Sequence, residues 1–234
     1  MDKKEILAII PARGGSKGIP GKNLKNLCDK PLIQYTIDAA KASKALSRVI
    51  LSSDDKAIIA YCKDQGIEVP FQRPNEYAQD DSVMIDVIKH AVTFLKEKED
   101  YQPGYVVVLQ PTSPLRRSPH IDEAIEQLVK SDADSIVSVV EVPHGFSPYS
   151  AMRLEGEYVK PFKDFDDRAT LRQNKPKFFA RNGPAVLALL CRTLQDKNSL
   201  YGEKILPYLM SKEDSIDIDD EFDLRVAESL LGKK

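Results

Sequence analysis

Residues 6–23 read Ile-Leu-Ala-Ile-Ile-Pro-Ala-Arg-Gly-Gly-Ser-Lys-Gly-Ile-Pro-Gly-Lys-Asn, an apolar run that opens directly into a glycine-rich basic loop. The run Ile6–Ile10 is typical of a short buried strand. Four glycines and two prolines in residues 11–23 disfavour both a helix and any continuation of the strand. The stretch therefore predicts an α/β fold in which a strand ends in a loop at the edge of the sheet where such folds bind ligands.

The loop carries the charge needed to hold an anion. Arg13, Lys17 and Lys22 are basic, and no acidic residue occurs between Glu5 and Asp29. Glycine lets backbone N–H groups approach a ligand closely, and fixed cations add Coulombic attraction. We therefore predict that the loop binds a polyanion, most simply a nucleoside triphosphate.

Two other interpretations of the loop compete with this one. A Walker A phosphate loop requires Gly-x-x-x-x-Gly-Lys-Ser/Thr, but Gly15 and Gly21 are one residue too far apart and Asn23 occupies the position of the magnesium-binding hydroxyl. A plain surface turn with solvated charges is the usual role of Gly/Lys-rich segments. The position of this loop at a strand end favours the phosphate site.

Composition restricts the class of protein. At 234 residues with 42% hydrophobic and 30% charged residues, the chain suits one large α/β domain or one domain with an insertion. A net charge of −2 gives no indication of a nucleic-acid partner, and no apolar run approaches the ~20 residues of a membrane span. Three widely spaced cysteines, Cys28, Cys62 and Cys191, predict free thiols in a reducing, cytoplasmic compartment.

Apolar runs alternate with segments of helical period as far as residue 142. We predict strands at Arg48–Ser52, Glu68–Phe71, Tyr105–Leu109 and Ser135–Val142, and helices at Pro31–Ala42, Asp55–Gln65, Met84–Lys96 and His120–Lys130. Asp54 is the expected N-cap of the second helix. This alternation implies right-handed βαβ units, and therefore a Rossmann-like three-layer sandwich with a mostly parallel twisted sheet and helices on both faces.

The pattern changes at residues 143–182. This segment contains four prolines and seven aromatic residues, and Glu155-Gly156-Glu157 predicts a hairpin turn within it. A sparse core with many aromatics predicts a lobe that buries itself against a second chain. We therefore divide the chain into a nucleotide-binding core, residues 1–142 and 183–234, and an inserted dimerisation arm, residues 143–182. An active-site flap is the alternative for the arm.

The end of the chain returns to regular elements. Gly183–Leu190 predicts a strand, and a final helix is expected to begin near Asp220. The expected buried stripe and C-cap of that helix are Phe222, Val226, Leu230 and Gly232.

A run of acidic residues surrounds the start of that helix. Residues 213–223 contain seven acids and no Lys or Arg. If Asp217-Ile218-Asp219 is extended, both carboxylates lie on one face and Ile218 on the other. Two carboxylates beside a triphosphate form a hard-oxygen site for Mg²⁺, so we predict that Asp217 and Asp219 are metal ligands. The alternative is that the acids only cap the helix, which is the role we expect from residue 220 onward.

A third feature follows the predicted strand Tyr105–Leu109, where Leu109–Arg116 reads Leu-Gln-Pro-Thr-Ser-Pro-Leu-Arg. A buried strand that ends in polar and proline residues marks the opening of a substrate crevice. Arg116 and Arg117 are interpreted as the solvated start of the next helix.

Taken together, Ile10–Asn23, Leu109–Arg116 and Asp214–Asp219 resemble the acylneuraminate cytidylyltransferases, the CMP-sialic acid synthetase family, in the same order and at similar spacing. The resemblance implies a Mg²⁺-dependent enzyme that joins CMP from CTP to the anomeric hydroxyl of a sialic-acid-like nonulosonic acid, an acidic nine-carbon sugar, and releases pyrophosphate. It also implies a nucleotidyltransferase-type fold and a homodimer that exchanges the arm.

The resemblance assigns roles to particular residues. Arg13 and Lys22 would hold the phosphates and stabilise the leaving pyrophosphate, and Arg172 matches an active-site arginine supplied from the arm. Asp217 and Asp219 match the Mg²⁺ ligands. The predicted nucleotide site comprises Arg13, Gly14, Gly15, Lys17, Lys22, Asn23, Arg73 and Ser82. The predicted sugar side comprises Gln110, Arg172 and Arg181.

The chain departs from the family pattern after the arm. Where relatives often read Asn-Gly-Ala-x-Tyr, residues 182–186 read Asn-Gly-Pro-Ala-Val, without the tyrosine, and Arg181 precedes them. An arginine there suits a carboxylate, but the shifted register leaves the sugar open among sialic, legionaminic, pseudaminic and other acids. Thr112 stands where the related Kdo-activating enzymes carry an acid, which argues against that branch.

Two other functions stay open at this point. The same fold could act on another sugar or sugar phosphate with a different nucleotide, such as GTP. A non-catalytic nucleotide-sugar-binding relative is the second alternative, and the intact Arg13, Lys22, Asp217 and Asp219 argue against it.

Overall fold

A computed structural model of the chain describes residues 5–162 and 176–232. The strands are β1 Ile6–Pro11, β2 Asn26–Leu27, β3 Lys30–Pro31, β4 Arg48–Ser52, β5 Tyr105–Val108, β6 Ser135–Glu141, β7 Met152–Glu155, β8 Tyr158–Pro161, β9 Phe179–Arg181, β10 Leu187–Leu190 and β11 Ile205–Leu209. The helices are α1 Leu32–Ala42, α2 Lys56–Asp64, α3 Met84–Glu99, α4 Ser118–Val129, α5 Cys191–Asp196 and α6 Glu221–Leu231.

The central sheet of the described residues has the strand order β11-β6-β10-β5-β1-β4, with β9 also paired to β6. β1 lies between β4 and β5 and is parallel to both. β10 runs antiparallel to β5 and β6, and β9 antiparallel to β6. Because the remaining strands are parallel, the carboxyl ends of β1, β4 and β5 meet at one edge, which confirms the predicted mostly parallel α/β sheet.

Helices cover both faces of this sheet. Alternate side chains of β1 point in opposite directions, so Leu7 and Ile9 pack with α3 and α5, whereas Ala8 and Ile10 pack with α1, α2 and α4. All four of these side chains are fully buried. The predicted three-layer sandwich is therefore confirmed, with one apolar core on each side of the sheet.

A third apolar cluster holds the glycine-rich loop against the C-terminal segment. Its buried members are Ile19, Leu27, Leu32, Ile218, Leu224 and Ala227. Ile19 and Ile218 are fully buried although each lies in a strongly polar stretch. Burial of these two side chains draws the basic loop and the acidic segment together.

Three predicted details of the elements are wrong. Residues 68–71 do not form a strand and contribute a single bridge to Ile50, because Pro70 has no N–H to donate. The N-cap of α2 is Asp55, whose carboxylate accepts from two backbone N–H groups, and not Asp54. Helix α6 packs through Leu224 and Ala227, whereas Phe222 is 63% exposed.

The segment predicted to be an arm contains the expected hairpin. Strands β7 and β8 pair with Glu155 opposite Tyr158, and Gly156 in the turn has a φ of 61°. β9, at the end of the same segment, pairs with β6 of the central sheet. Among the helices of the described residues, none combines the length and apolarity that a bilayer-spanning helix requires.

Candidate active site

A cavity of about 390 Å³ opens where β1 and β5 end. Nine residues predicted from the sequence line it: Arg13, Gly15, Lys22, Asn23, Arg73, Ser82, Gln110, Asp217 and Asp219. Tyr77, Asp80, Thr112 and Gly183 also line it and were not among the predicted residues. The three sequence features therefore converge on one site, as the carboxyl edge of a parallel sheet requires.

Lys22 joins the basic loop to the acidic segment. Its Nζ donates to the backbone oxygen of Ile218 at 2.7 Å and lies 4.0 Å from Asp219 Oδ1. Gly21 immediately before it has a φ of 63°, a left-handed conformation that glycine adopts without strain. Asn23 donates from Nδ2 to the backbone oxygen of Arg13 at 2.9 Å and so fixes the two ends of the loop.

Asp80, which no sequence motif singles out, neutralises the outer cations of the loop. Arg13 Nη1 donates to Asp80 Oδ1 at 2.9 Å and to the backbone oxygen of Gln79 at 2.9 Å. Lys17 Nζ lies 3.0 Å from Asp80 Oδ2. The hydrogen bond from Lys17 is the largest of the contacts that lower the pKa of Asp80. No local pattern could have revealed this pairing, because the partners are 67 residues apart.

Gly14 and Lys17 are not among the residues that line the cavity. The backbone N–H of Gly14 already donates to Asp54 Oδ1 at 3.0 Å. A Cβ at Gly14 would lie only 2.7 Å from Asp55 Oδ2, so glycine is needed there for packing. In this structure Gly14 therefore shapes the loop rather than facing the cavity.

Arg73 is a buried cation beside the cavity. It is 4% exposed and donates to the hydroxyl and backbone oxygen of Ser52, at 3.0 and 2.5 Å. No carboxylate of the described residues lies within ion-pair distance of it, and burial lowers its pKa to about 10. A guanidinium so placed attracts an electron-rich ligand oxygen. Ser82 accepts from the N–H of Gln79 and donates to the backbone oxygen of Glu76, which closes the neighbouring turn.

The two predicted metal ligands differ in their surroundings. Asp219 is 83% exposed at its side chain, whereas Asp217 Oδ1 is buried without a hydrogen-bond partner among the described residues. Burial raises the pKa of Asp217, a hydrogen bond from Thr112 opposes the rise, and the charge of Asp219 adds to it. The segment is not a regular strand, but Ile218 is fully buried between the two aspartates and its N–H donates to the Thr112 backbone oxygen at 2.8 Å.

These aspartates suit a hard divalent cation. Within residues 5–162 and 176–232, no three His, Cys, Asp or Glu side chains form a metal-binding group. Two carboxylates leave several positions of a cation to water and phosphate oxygens, as Mg²⁺ prefers. The donor set therefore fits Mg²⁺ bound together with a triphosphate.

A buried arginine lies next to Gln110, outside the lining of the cavity. Gln110 Nε2 donates to the backbone oxygen of Gly183 at 3.0 Å. Arg116 is only 2% exposed and donates to the backbone oxygens of Gln110 and Ala185 at 3.0 and 2.8 Å. Its interpretation as a solvated helix start is therefore wrong, because these carbonyls replace water around the guanidinium. Arg117 is more exposed, at 58% of its side chain, and its guanidinium donates to Asp214 Oδ2 at 2.9 Å.

The described lining of the cavity contains neither of the other two residues predicted to contact the sugar. Arg181 lies exposed on β9, and its guanidinium donates to the hydroxyl of Tyr201 at 2.5 Å. Arg172 lies outside the described residues. Their roles stay predictions.

A model of a protein family described as cytidylyltransferase matches residues 7–230 of the chain. The chain belongs to the cytidylyltransferase family. This membership confirms the resemblance seen in the sequence and the assignment to nucleotidyltransferases of the acylneuraminate type.

Relatives of known name support the same assignment. An N-acylneuraminate cytidylyltransferase of Escherichia coli is 35% identical over 233 residues, which cover 99% of this chain and 53% of the relative. The chain thus spans about half the length of that protein. A CMP-N,N'-diacetyllegionaminic acid synthase of Legionella pneumophila is 34% identical over 229 residues, 97% of this chain and 96% of the relative.

The fold has counterparts among solved structures. A CMP:2-keto-3-deoxy-manno-octonic acid synthetase complexed with CTP superposes with a TM-score of 0.72 over 98% of this chain and 99% of the other. At 16% identity this likeness shows the fold alone.

Proposed function

We propose that the protein transfers CMP from CTP to the anomeric hydroxyl of a sialic-acid-like nonulosonic acid and releases pyrophosphate. The observation that carries the proposal is that Lys22 Nζ and Asp219 Oδ1 lie 4.0 Å apart and that both residues line one cavity. This arrangement sets phosphate-binding cations beside carboxylates suited to a metal. The names of the relatives support CTP and an acylneuraminate-like acid as substrates.

The chemistry is a displacement at the α-phosphorus of CTP. The hydroxyl oxygen of the sugar bonds to this phosphorus as the bond to the bridging oxygen breaks, and pyrophosphate leaves with the electron pair. Such a reaction depends on positioning and charge neutralisation rather than on a covalent intermediate. Arg13 and Lys22 would neutralise the charge that develops on the leaving group.

Asp217 and Asp219 would hold Mg²⁺ in this site. When bound, the ion lowers the cost of deprotonating the attacking hydroxyl. Lys22 would keep Asp219 in place, since its Nζ lies beside the Asp219 carboxylate and donates to the backbone oxygen of Ile218.

The sugar and the assembly belong to the proposal. Gln110 would contact the sugar from beyond the end of β5, and Arg181 would recognise the carboxylate of the sugar. Arg172 would be an active-site arginine supplied from the arm. We further propose a homodimer formed through the arm, which the exposed apolar side chains of the hairpin β7–β8 support. The three free cysteines support a reducing, cytoplasmic setting.

The test is pyrophosphate release from CTP, GTP, UTP and ATP with Mg²⁺, against a panel of nonulosonic acids and sugar phosphates. We expect release with CTP and one acid sugar only. Release with another nucleotide or a sugar phosphate would replace the proposed substrates. Nucleotide binding without release from any pair would favour a binding protein.

A matched pair of variants tests the metal assignment. Asp219→Asn should abolish turnover. Asp220→Asn makes the same change of charge one residue away, and asparagine still caps α6, so we expect activity to be retained. Pyrophosphate release by Asp219→Asn at the wild-type rate would refute the assignment.

A further inference from the structure

Asp80 occupies the phosphate side of the cavity with its own negative charge. Both of its carboxylate oxygens are engaged, Oδ1 by Arg13 at 2.9 Å and Oδ2 by Lys17 at 3.0 Å. Carboxylate oxygens and phosphate oxygens are both strong acceptors for Arg and Lys, so Asp80 and a phosphate group are alternative partners of the same cations. Arg13 and Lys17 therefore already have an anionic partner within the protein.

The contact between Asp80 and the two cations is weak. The side chains of Asp80 and Lys17 are 50% and 76% exposed, and ion pairs this exposed are weak. The turn that carries Asp80 is closed by bonds of its own, from Gln79 N–H to Ser82 Oγ at 2.9 Å and from Ser82 Oγ to Glu76 O at 3.1 Å. Asp80 can therefore release both cations while its turn stays folded.

We propose that Asp80 is an internal competitor that a phosphate ligand must displace from Arg13 and Lys17, and that it returns as pyrophosphate leaves. A triphosphate carries several negative charges and outcompetes a single carboxylate for the two cations. Pyrophosphate meets the same competition after the reaction. Asp80 therefore weakens the binding of both, and favours release of the product. The inference rests on the proposed nucleotide site.

Removing the charge of Asp80 tests this role, and the chain supplies a matched control. Asp81 is exposed, and no ion pair of the described residues includes it. Asp80→Asn and Asp81→Asn thus change the net charge equally at adjacent positions. Calorimetric titration of each variant with CTP, pyrophosphate and cytidine, without the sugar, measures binding without turnover.

We expect Asp80→Asn to bind CTP and pyrophosphate about five-fold more tightly than Asp81→Asn, the scale of one exposed ion pair. Cytidine lacks phosphates and should bind both variants equally. The difference for CTP should shrink as salt is raised, because exposed charges are screened.

The outcomes separate this inference from the proposed function. If wild-type protein does not bind CTP, the proposed function fails. If it binds CTP, but Asp80→Asn binds CTP as weakly as Asp81→Asn or more weakly, Asp80 is not a competitor. A five-fold gain that extends to cytidine would also overturn the inference, since displacement requires phosphates.

Discussion

Gly18→Ala is the substitution that most directly tests how the basic loop and the acidic segment are joined. A Cβ at Gly18 would lie 2.2 Å from the backbone oxygen of Asp219. This is roughly 1.2 Å short of the 3.4 Å at which ordinary contact begins. Gly18 is not left-handed, so alanine is acceptable to the backbone there. The whole effect of the substitution should therefore come from this one contact.

Neither side of the contact can yield cheaply. The obstructing atom belongs to the backbone, and the neighbouring Ile19 and Ile218 are fully buried in one apolar cluster. Overpacking of this kind costs about 1–3 kcal/mol of unfolding free energy, which lowers the Tm by roughly 2–12 °C in a chain of this size. The remaining adjustment displaces the Asp219 backbone by about 1 Å, and displacements of that size reduce turnover about 100-fold.

The assay is pyrophosphate release as a function of Mg²⁺ concentration, with the Tm from scanning calorimetry. We expect Gly18→Ala to need more Mg²⁺ and to turn over about 100-fold more slowly. Gly145→Ala is the control, because a Cβ there meets nothing within 4 Å. A Gly18→Ala variant with the wild-type rate and Mg²⁺ dependence would refute the close approach and the positioning of Asp219 that follows from it.

Three further predictions concern buried charge and assembly. Burial raises the pKa of Asp217 in the folded state, so its ionisation costs stability as pH rises above the unfolded value of about 3.9. At pH 7 without metal, Asp217→Asn should therefore raise the Tm while abolishing activity, and a lower Tm would contradict this. Arg116→Lys should lower the unfolding free energy by about 2–4 kcal/mol, because it leaves buried backbone carbonyls without a donor. The control Arg117→Lys should change the unfolding free energy by less than about 0.5 kcal/mol, and denaturant titration measures both. Leu154 is 75% exposed in the arm and should support dimerisation. In sedimentation at micromolar concentration, the unmodified chain should be a dimer and Leu154→Asp a monomer. A monomeric unmodified chain would disprove the role of the arm in dimerisation.

The layers of the fold were predictable because they depend on local periodicity. β1 and β5 are continuous apolar runs, and β4 and β6 are mostly apolar, as expected of strands covered on both faces. The errors occur where the local pattern conflicts with backbone chemistry. Residues 68–71 look apolar enough for a strand, but Pro70 prevents regular pairing. β11 was missed because it contains Pro207, which is tolerated at the edge of the sheet.

The site was predictable where charge and glycine are concentrated in the sequence. Lys22 lies in a glycine-rich basic stretch, and Asp217 and Asp219 lie in an acidic one. The structure brings the three residues together in one cavity. Asp80 and Arg116 are ordinary residues of loops by composition. Their roles come from partners dozens of residues away, Arg13 for the first and Ala185 for the second, so only the tertiary fold reveals them.

The apolar residues inside the polar stretches explain why one cavity contains both charges. Ile19 is isolated among glycines, prolines and lysines, and Ile218 is flanked by aspartates. Neither suits a solvated loop, and both are fully buried in the third cluster with Leu224 of α6. Their burial opposes the separation of the two segments, while the attraction between Lys22 and Asp219 at 4.0 Å in water is modest. The hydrophobic contact therefore positions the charges, and the charges remain available to the ligand.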